Sequence, residues 1–100
     1  MRGFDIDGVL TAGYIPEPGD VVISGRTFNE YDDTVKAVAQ ICPVYVRGVG
    51  EYGDQLHAGW WKAIMIKLLG ITEFYEDSPV QIEIIQRENP EVIIHQVGER

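Results

Sequence analysis

Cysteine is all but missing from this chain. Cys42 is the only one in 100 residues, so no internal disulfide can staple the fold. A lone thiol between Ile41 and Pro43 reads as a small core residue. Basic residues are scarce: 8 Lys and Arg stand against 16 Asp and Glu, and the net charge is −8. That balance argues against an electrostatic nucleic-acid surface. It also poses a problem for any anionic substrate, which a divalent cation at a carboxylate cluster would relieve. No run approaches the roughly 18 apolar residues of a membrane span. Asp5 and Asp7 stand where a signal peptide would be apolar, so the expected location is intracellular, by default the cytoplasm. Repeats and low-complexity tracts are absent, and His57 and His95 lie far apart without metal-ligand spacing.

What is present is ordinary for a soluble protein: 45% apolar and 24% charged residues. The length predicts one small domain over residues 1–100. Residues 2–6 predict a short strand, weakened by Gly3. Residues 8–20, with three glycines and two prolines, predict a loop that folds back as a flap over whatever Asp5 binds. Val21-Val22-Ile23 predicts a strand buried on both faces. Thr27 and Glu30 have capping-box spacing, and Tyr31, Val35, Val38, Ala39 and Cys42 recur at helical spacing up to Pro43.

Val44-Tyr45-Val46 predicts a third strand, followed by a glycine-rich loop over 47–59. Trp61, Ile64, Met65 and Leu68 then predict the core face of a helix from about 60 to 69, closed by Gly70. Trp60 is the more open of the two tryptophans. Residues 71–75 predict a fourth strand. Ser78-Pro79-Val80-Gln81 is the clearest helix start, leading to about Glu88, and Val92-Ile93-Ile94 predicts a fifth strand. Apolar strands alternating with helices predict a three-layer α/β fold with a mainly parallel sheet. Ligands then sit beyond the strands' carboxyl ends, where Asp5, Ser24 and Asp77 all fall.

Asp5-Ile6-Asp7-Gly8-Val9-Leu10-Thr11 is the most specific string in the chain. A strand's period of two puts both carboxylates on one side, and Gly8 lets the backbone turn. One acid can serve as nucleophile and metal ligand, the other as general acid/base. The string resembles the first motif of the haloacid dehalogenase (HAD) superfamily, especially its phosphatases. Val21-Val22-Ile23-Ser24-Gly25-Arg26 looks like the second motif, Lys62 fits the third, and Glu76-Asp77 fits the fourth. Phe74-Tyr75-Glu76-Asp77 before a capped helix is similar to the phosphatase halves of polynucleotide kinases.

The resemblance implies a Rossmann-like sheet of order 3-2-1-4-5 and, with no long insertion, a capless member. In capless relatives a neighbouring subunit often covers the site, so a homo-oligomer is an expectation of the resemblance. It also implies a Mg²⁺-dependent phosphomonoesterase acting on a small phosphorylated metabolite or nucleotide. Asp5 would be the nucleophile and Asp7 the acid/base. Ser24, Gly25 and Lys62 would hold phosphoryl oxygens. Asp5, Asp77 and the backbone carbonyl of Asp7 would hold the metal. Glu76 stands where relatives carry a second Asp, which leaves its part open. A non-catalytic phosphate- or protein-binding module that kept the fold is the competing reading.

Two further features stand apart. Gly48-Val49-Gly50-Glu51-Tyr52-Gly53 matches a dinucleotide fingerprint, but no apolar helical face follows it directly, so it reads as a loop. Arg26 and Arg47 each follow a predicted strand and read as surface or ion-pair residues.

Overall fold

In the computed structural model, which describes residues 1–50 and 54–98, five strands and three helices alternate. The strands are β1 (Arg2–Phe4), β2 (Val21–Thr27), β3 (Val44–Gly48), β4 (Glu73–Glu76) and β5 (Ile93–Gln96). The helices are α1 (Asp33–Ala39), α2 (Gln55–Leu69) and α3 (Pro79–Glu88), with short 3₁₀ turns at Leu10–Ala12 and Phe28–Glu30. The sheet is parallel throughout, in the order β3-β2-β1-β4-β5.

The period of two divides the strand side chains between two cores. Val21, Ile23 and Phe74 join Ala63, Ile66, Ile84 and Ile85 of α2 and α3 on one face. Phe4, Ile6 and Val22 join Val35 and Val38 of α1, with Cys42, on the other. The result is the expected three-layer, Rossmann-like α/β arrangement. Among the described residues no helix is long and apolar enough to cross a membrane.

Several boundaries differ from the sequence expectation. β2 runs on to Thr27, because its second half keeps pairing with β3, with an irregularity between Ser24 and Thr27. Thr27 does not start α1. Glu30 Oε1 accepts from Thr27 N (2.9 Å) and Oγ1 (3.1 Å), closing a 3₁₀ turn. Asp32 caps α1 instead, accepting from Thr34 N and Val35 N, so Tyr31 and Ala39 stay exposed. The 8–20 segment turns toward the α1 face, where Val9 is buried, and does not line the cleft described below.

The largest difference is α2. It opens at Gln55, capped by Asp54, whose carboxylate accepts from His57 N at 3.0 Å. Its buried residues are Ala58, Gly59, Lys62, Ala63 and Ile66, while Ile64 and Leu68, expected in the core, are exposed. Trp61 and Met65 are half-buried against the core. Gly59 lets α3 approach closely: a Cβ there would stand 3.0 Å from Ile84 Cδ1 and 3.3 Å from Gln81 Cα. Gly70 closes the helix in the left-handed region, as expected.

Candidate functional site

The strand order reverses between β1 and β4, which makes their carboxyl ends the switch point where parallel sheets bind ligands. Asp5 follows β1 directly, and its N–H donates to the carbonyl of Tyr75 on β4. Its side chain is buried, on the α2 side of the sheet. There Lys62 Nζ lies 3.1 Å from Asp5 Oδ1 and 2.6 Å from Glu76 Oε1. Lys62 is the eighth residue of α2, not part of its first turn, and its ammonium lies in the buried interior.

Glu76 ends β4 and is fully buried. Its second oxygen accepts from Asp77 N (3.1 Å) and Ser78 N (3.2 Å), where α3 begins. Glu76 thus joins the lysine, the Asp77 backbone and the start of α3. The oxygens of Asp5, Glu76 and Asp77 all come within 4.8 Å of one another. Three carboxylates beside one ammonium offer hard oxygen donors that could hold a metal ion. Burial pushes the Asp5 and Glu76 carboxyls up, despite the lysine between them. Burial would pull the Lys62 ammonium down, but the two carboxylates more than offset this and hold it up and charged.

These groups form one end of a cleft of about 470 Å³. Its walls include Asp5 and Asp7 after β1, Gly25 and Arg26 of β2, Arg47 of β3, and Asp77 after β4. Asp54, Gln55 and Ala58 come from the start of α2, and Ser78, Pro79 and Gln81 from the start of α3. Gly25 is the close point of β2: a Cβ there would stand 3.1 Å from Ala58 Cβ and 3.8 Å from Lys62 Cε. Ser24, one residue earlier, is fully buried, does not line the cleft, and accepts from Arg26 N at 3.2 Å.

Asp7 lies at the exposed rim. Both its oxygens are held by Arg26, at 3.0 Å from Nε and 2.8 Å from Nη2. The same guanidinium reaches Asp32 at 2.9 Å, and hydrogen bonding to Asp7 raises its already high pKa. The Asp7 carboxylate therefore stands outside the three-acid cluster.

Three wall residues were not assigned to the site from the sequence. Arg47 is buried rather than on the surface, donating through Nε to the carbonyl of Gly25 at 2.9 Å. Its Nη1 lies 2.8 Å from His57 Nδ1. A guanidinium only donates, so His57 Nδ1 accepts and the ring proton sits on Nε2. Gln55 Oε1 accepts from Ser78 Oγ (2.8 Å) and Gln81 Nε2 (2.7 Å). Gln81 Oε1, buried at the cleft wall, is the one buried side-chain oxygen without a hydrogen-bond partner among the described residues. Asp54 was legible in principle, because an Asp before a helical run is a capping signal. His95 does not line the cleft and pairs with Glu73 at 3.0 Å.

The glycine pattern at 48–53 needs revision in one respect. The helix whose absence counted against it is present, opening at Gln55. β3, however, is an edge strand away from the switch point. Residues 51–53 of the pattern lie outside the described residues.

No family model, curated protein or solved structure matches this chain.

Proposed function

We propose that the chain is a HAD-type phosphomonoester hydrolase acting through an aspartyl-phosphate. The observation that carries this reading is the buried lysine between Asp5 and Glu76, at the switch point and in contact with a three-acid cluster. In the proposed reaction an Asp5 oxygen attacks phosphorus and the bond to the ester oxygen breaks. A protonated Asp7 gives its proton to the departing alkoxide. Water then attacks the aspartyl-phosphate, Asp7 takes its proton, and inorganic phosphate leaves.

Lys62 and the backbone at Gly25 would face the phosphoryl oxygens. The support for Ser24 is weaker, since its hydroxyl lies off the cleft wall. Asp5, Asp77 and the carbonyl of Asp7 would hold Mg²⁺, which when bound supplies charge neutralisation and alignment of the phosphoryl group. Glu76 fits a positioning part better than a direct one, because its oxygens already serve Lys62 and the start of α3.

The second reading, a non-catalytic binding module, is favoured by one observation. Arg26 occupies both oxygens of Asp7, so acid/base work requires that pair to open. A screen of phosphate release from sugar phosphates and nucleotides, with Mg²⁺ and then with EDTA, separates the two. Metal-dependent release that Asp5→Asn abolishes supports the hydrolase. Ligand-induced stabilisation without release supports the module. Release that persists at full rate in EDTA removes the metal from the reading.

A further inference from the structure

The outer face of α2 carries four large apolar side chains in water. Leu56, Trp60, Ile64 and Leu68 follow one another at four-residue spacing along the 15-residue helix. Their exposures are 62, 42, 56 and 74%. Scattered exposed apolar residues are normal, but four in one row are not scatter. Residues four apart form a single inclined ridge, the element that packs into the groove of another helix. Among the described residues only Arg87 of α3 reaches this ridge, over the Trp60 ring, because α2 meets the sheet and α3 chiefly through its opposite, small-residue side.

We propose that this ridge is a homodimer interface, and that its occupant is α2 of a second copy. Three observations favour a second copy over other partners. First, two copies of the same inclined ridge lie parallel when the helices cross at about −50°, so under a twofold axis each ridge can enter the groove beside the other's.

Second, the charge pattern permits it. The chain carries −8, yet no Asp or Glu occurs between Gln55 and Leu69. The exposed charge on α2 itself is Lys67, and Arg87 of α3 stacks over Trp60 at 5.5 Å and lies 3.9 Å from Glu88. Two facing copies of α2 therefore bring no carboxylate of their own against each other, whereas an acidic chain is repelled by an anionic lipid surface.

Third, the area suffices. The four side chains expose on the order of 500 Å² per copy, so a symmetric pair that covers them fully buries about 1,000 Å², the threshold of a specific interface, with the flanking residues adding to it. This inference does not depend on the hydrolase reading. The ridge is the outer side of α2, while the cleft takes its wall from the start of that helix.

The test is sedimentation equilibrium over about 1 µM to 1 mM protein, a range that spans micromolar dissociation constants. Wild type is expected to reach twice the 11.2 kDa chain mass. Ile64→Glu and Leu68→Lys, both at exposed positions, are expected to stay monomeric with unchanged far-ultraviolet circular dichroism. Lys67→Ala, off the ridge, is expected to dimerise as wild type does. A wild type that is monomeric throughout overturns the proposal. So does a dimer that survives Ile64→Glu, which would place the interface elsewhere. Flotation with phosphatidylcholine vesicles, by a wild type that does not dimerise, would assign the ridge to lipid instead.

Discussion

Lys62 Nζ sits 2.6 Å from Glu76 Oε1, joining the middle of α2 to the end of β4 inside the protein. Both groups are almost wholly buried, so neither can turn to water when the other is removed. Lys62→Met would leave Asp5 and Glu76 facing each other without a counter-charge. The expected loss of stability is about 3–5 kcal/mol. Adding Glu76→Gln to Lys62→Met should recover part of it, which urea denaturation of the two single variants and the double variant would show. Lys67 is exposed on the same helix, and Lys67→Ala should stay within about 0.5 kcal/mol of wild type. Under the proposed function Lys62→Ala also abolishes phosphate release, while Lys67→Ala does not. The reverse pattern would reassign the lysine.

Asp5 and Asp7 differ in surroundings although they are two residues apart. Asp5 is buried against Lys62, and Asp7 is exposed and clamped by Arg26. Under the proposed function Asp5→Asn lowers turnover by about 10³-fold or more, since the amide cannot attack phosphorus. Asp7→Asn should slow turnover and let the aspartyl-phosphate accumulate, visible as a mass increase in acid-quenched protein. Near wild-type turnover in Asp5→Asn would remove it as nucleophile.

The parts of the fold that were legible in the sequence share one property: local chemistry set them. Ser78-Pro79 starts α3 and Gly70 closes α2 because capping and left-handed backbone depend on the residue itself. The start of α2 was hidden because its buried face is Ala58, Gly59, Lys62 and Ala63, which carry little hydrophobic signal. Of the expected core face, Trp61 and Met65 do pack on the core, but Ile64 and Leu68 point outward with Leu56 and Trp60, so periodicity placed only half of that face.

Lys62 was placed at the site by a wrong helix boundary, and it reaches Asp5 and Glu76 from the middle of the helix. Arg47 and Gln81 were illegible for a different reason. Their partners Gly25 and Gln55 are more than 20 residues away, and only strand register and helix docking bring them together.

Asp20 offers a test by pH. Its carboxylate accepts from Arg2 Nε (3.1 Å), Arg2 Nη2 (2.9 Å) and Glu17 N (2.7 Å). Burial alone would raise this carboxyl, but the bonds from Arg2 and the Glu17 N–H more than offset that and hold it below its ordinary value. The unfolded chain therefore takes up this proton at higher pH than the folded one. The stabilisation is complete above the ordinary carboxylate value of about 3.9 and is lost as pH falls through the depressed folded value. Asp20→Asn should be less stable than wild type at neutral pH, and the gap should close in strong acid. Urea midpoints measured at both ends of that range would show it, and a gap that widens in acid would contradict the assignment.

Gly8 separates strain from site chemistry. Its φ of +82° lies in the left-handed region, and a Cβ there would stand 2.0 Å from Asp77 Oδ2 and 2.3 Å from Asp77 Cγ. Gly8→Ala therefore has two consequences: an unfavourable backbone, costing about 1–2 kcal/mol, and a displaced Asp77. Gly70 supplies the control. It has a φ of +69° and nothing within 4 Å of an added Cβ, so Gly70→Ala meets the backbone cost alone. Both variants should melt below wild type, Gly8→Ala by the larger amount because the clash with Asp77 adds to the backbone cost. Only Gly8→Ala should need more Mg²⁺ to reach half of the metal-induced rise in Tm, because only there is a carboxylate of the three-acid cluster moved. Titrating Mg²⁺ against Tm in the three proteins needs no substrate, so the outcome does not depend on knowing one. If the two variants respond to Mg²⁺ alike, Asp77 is not a metal ligand.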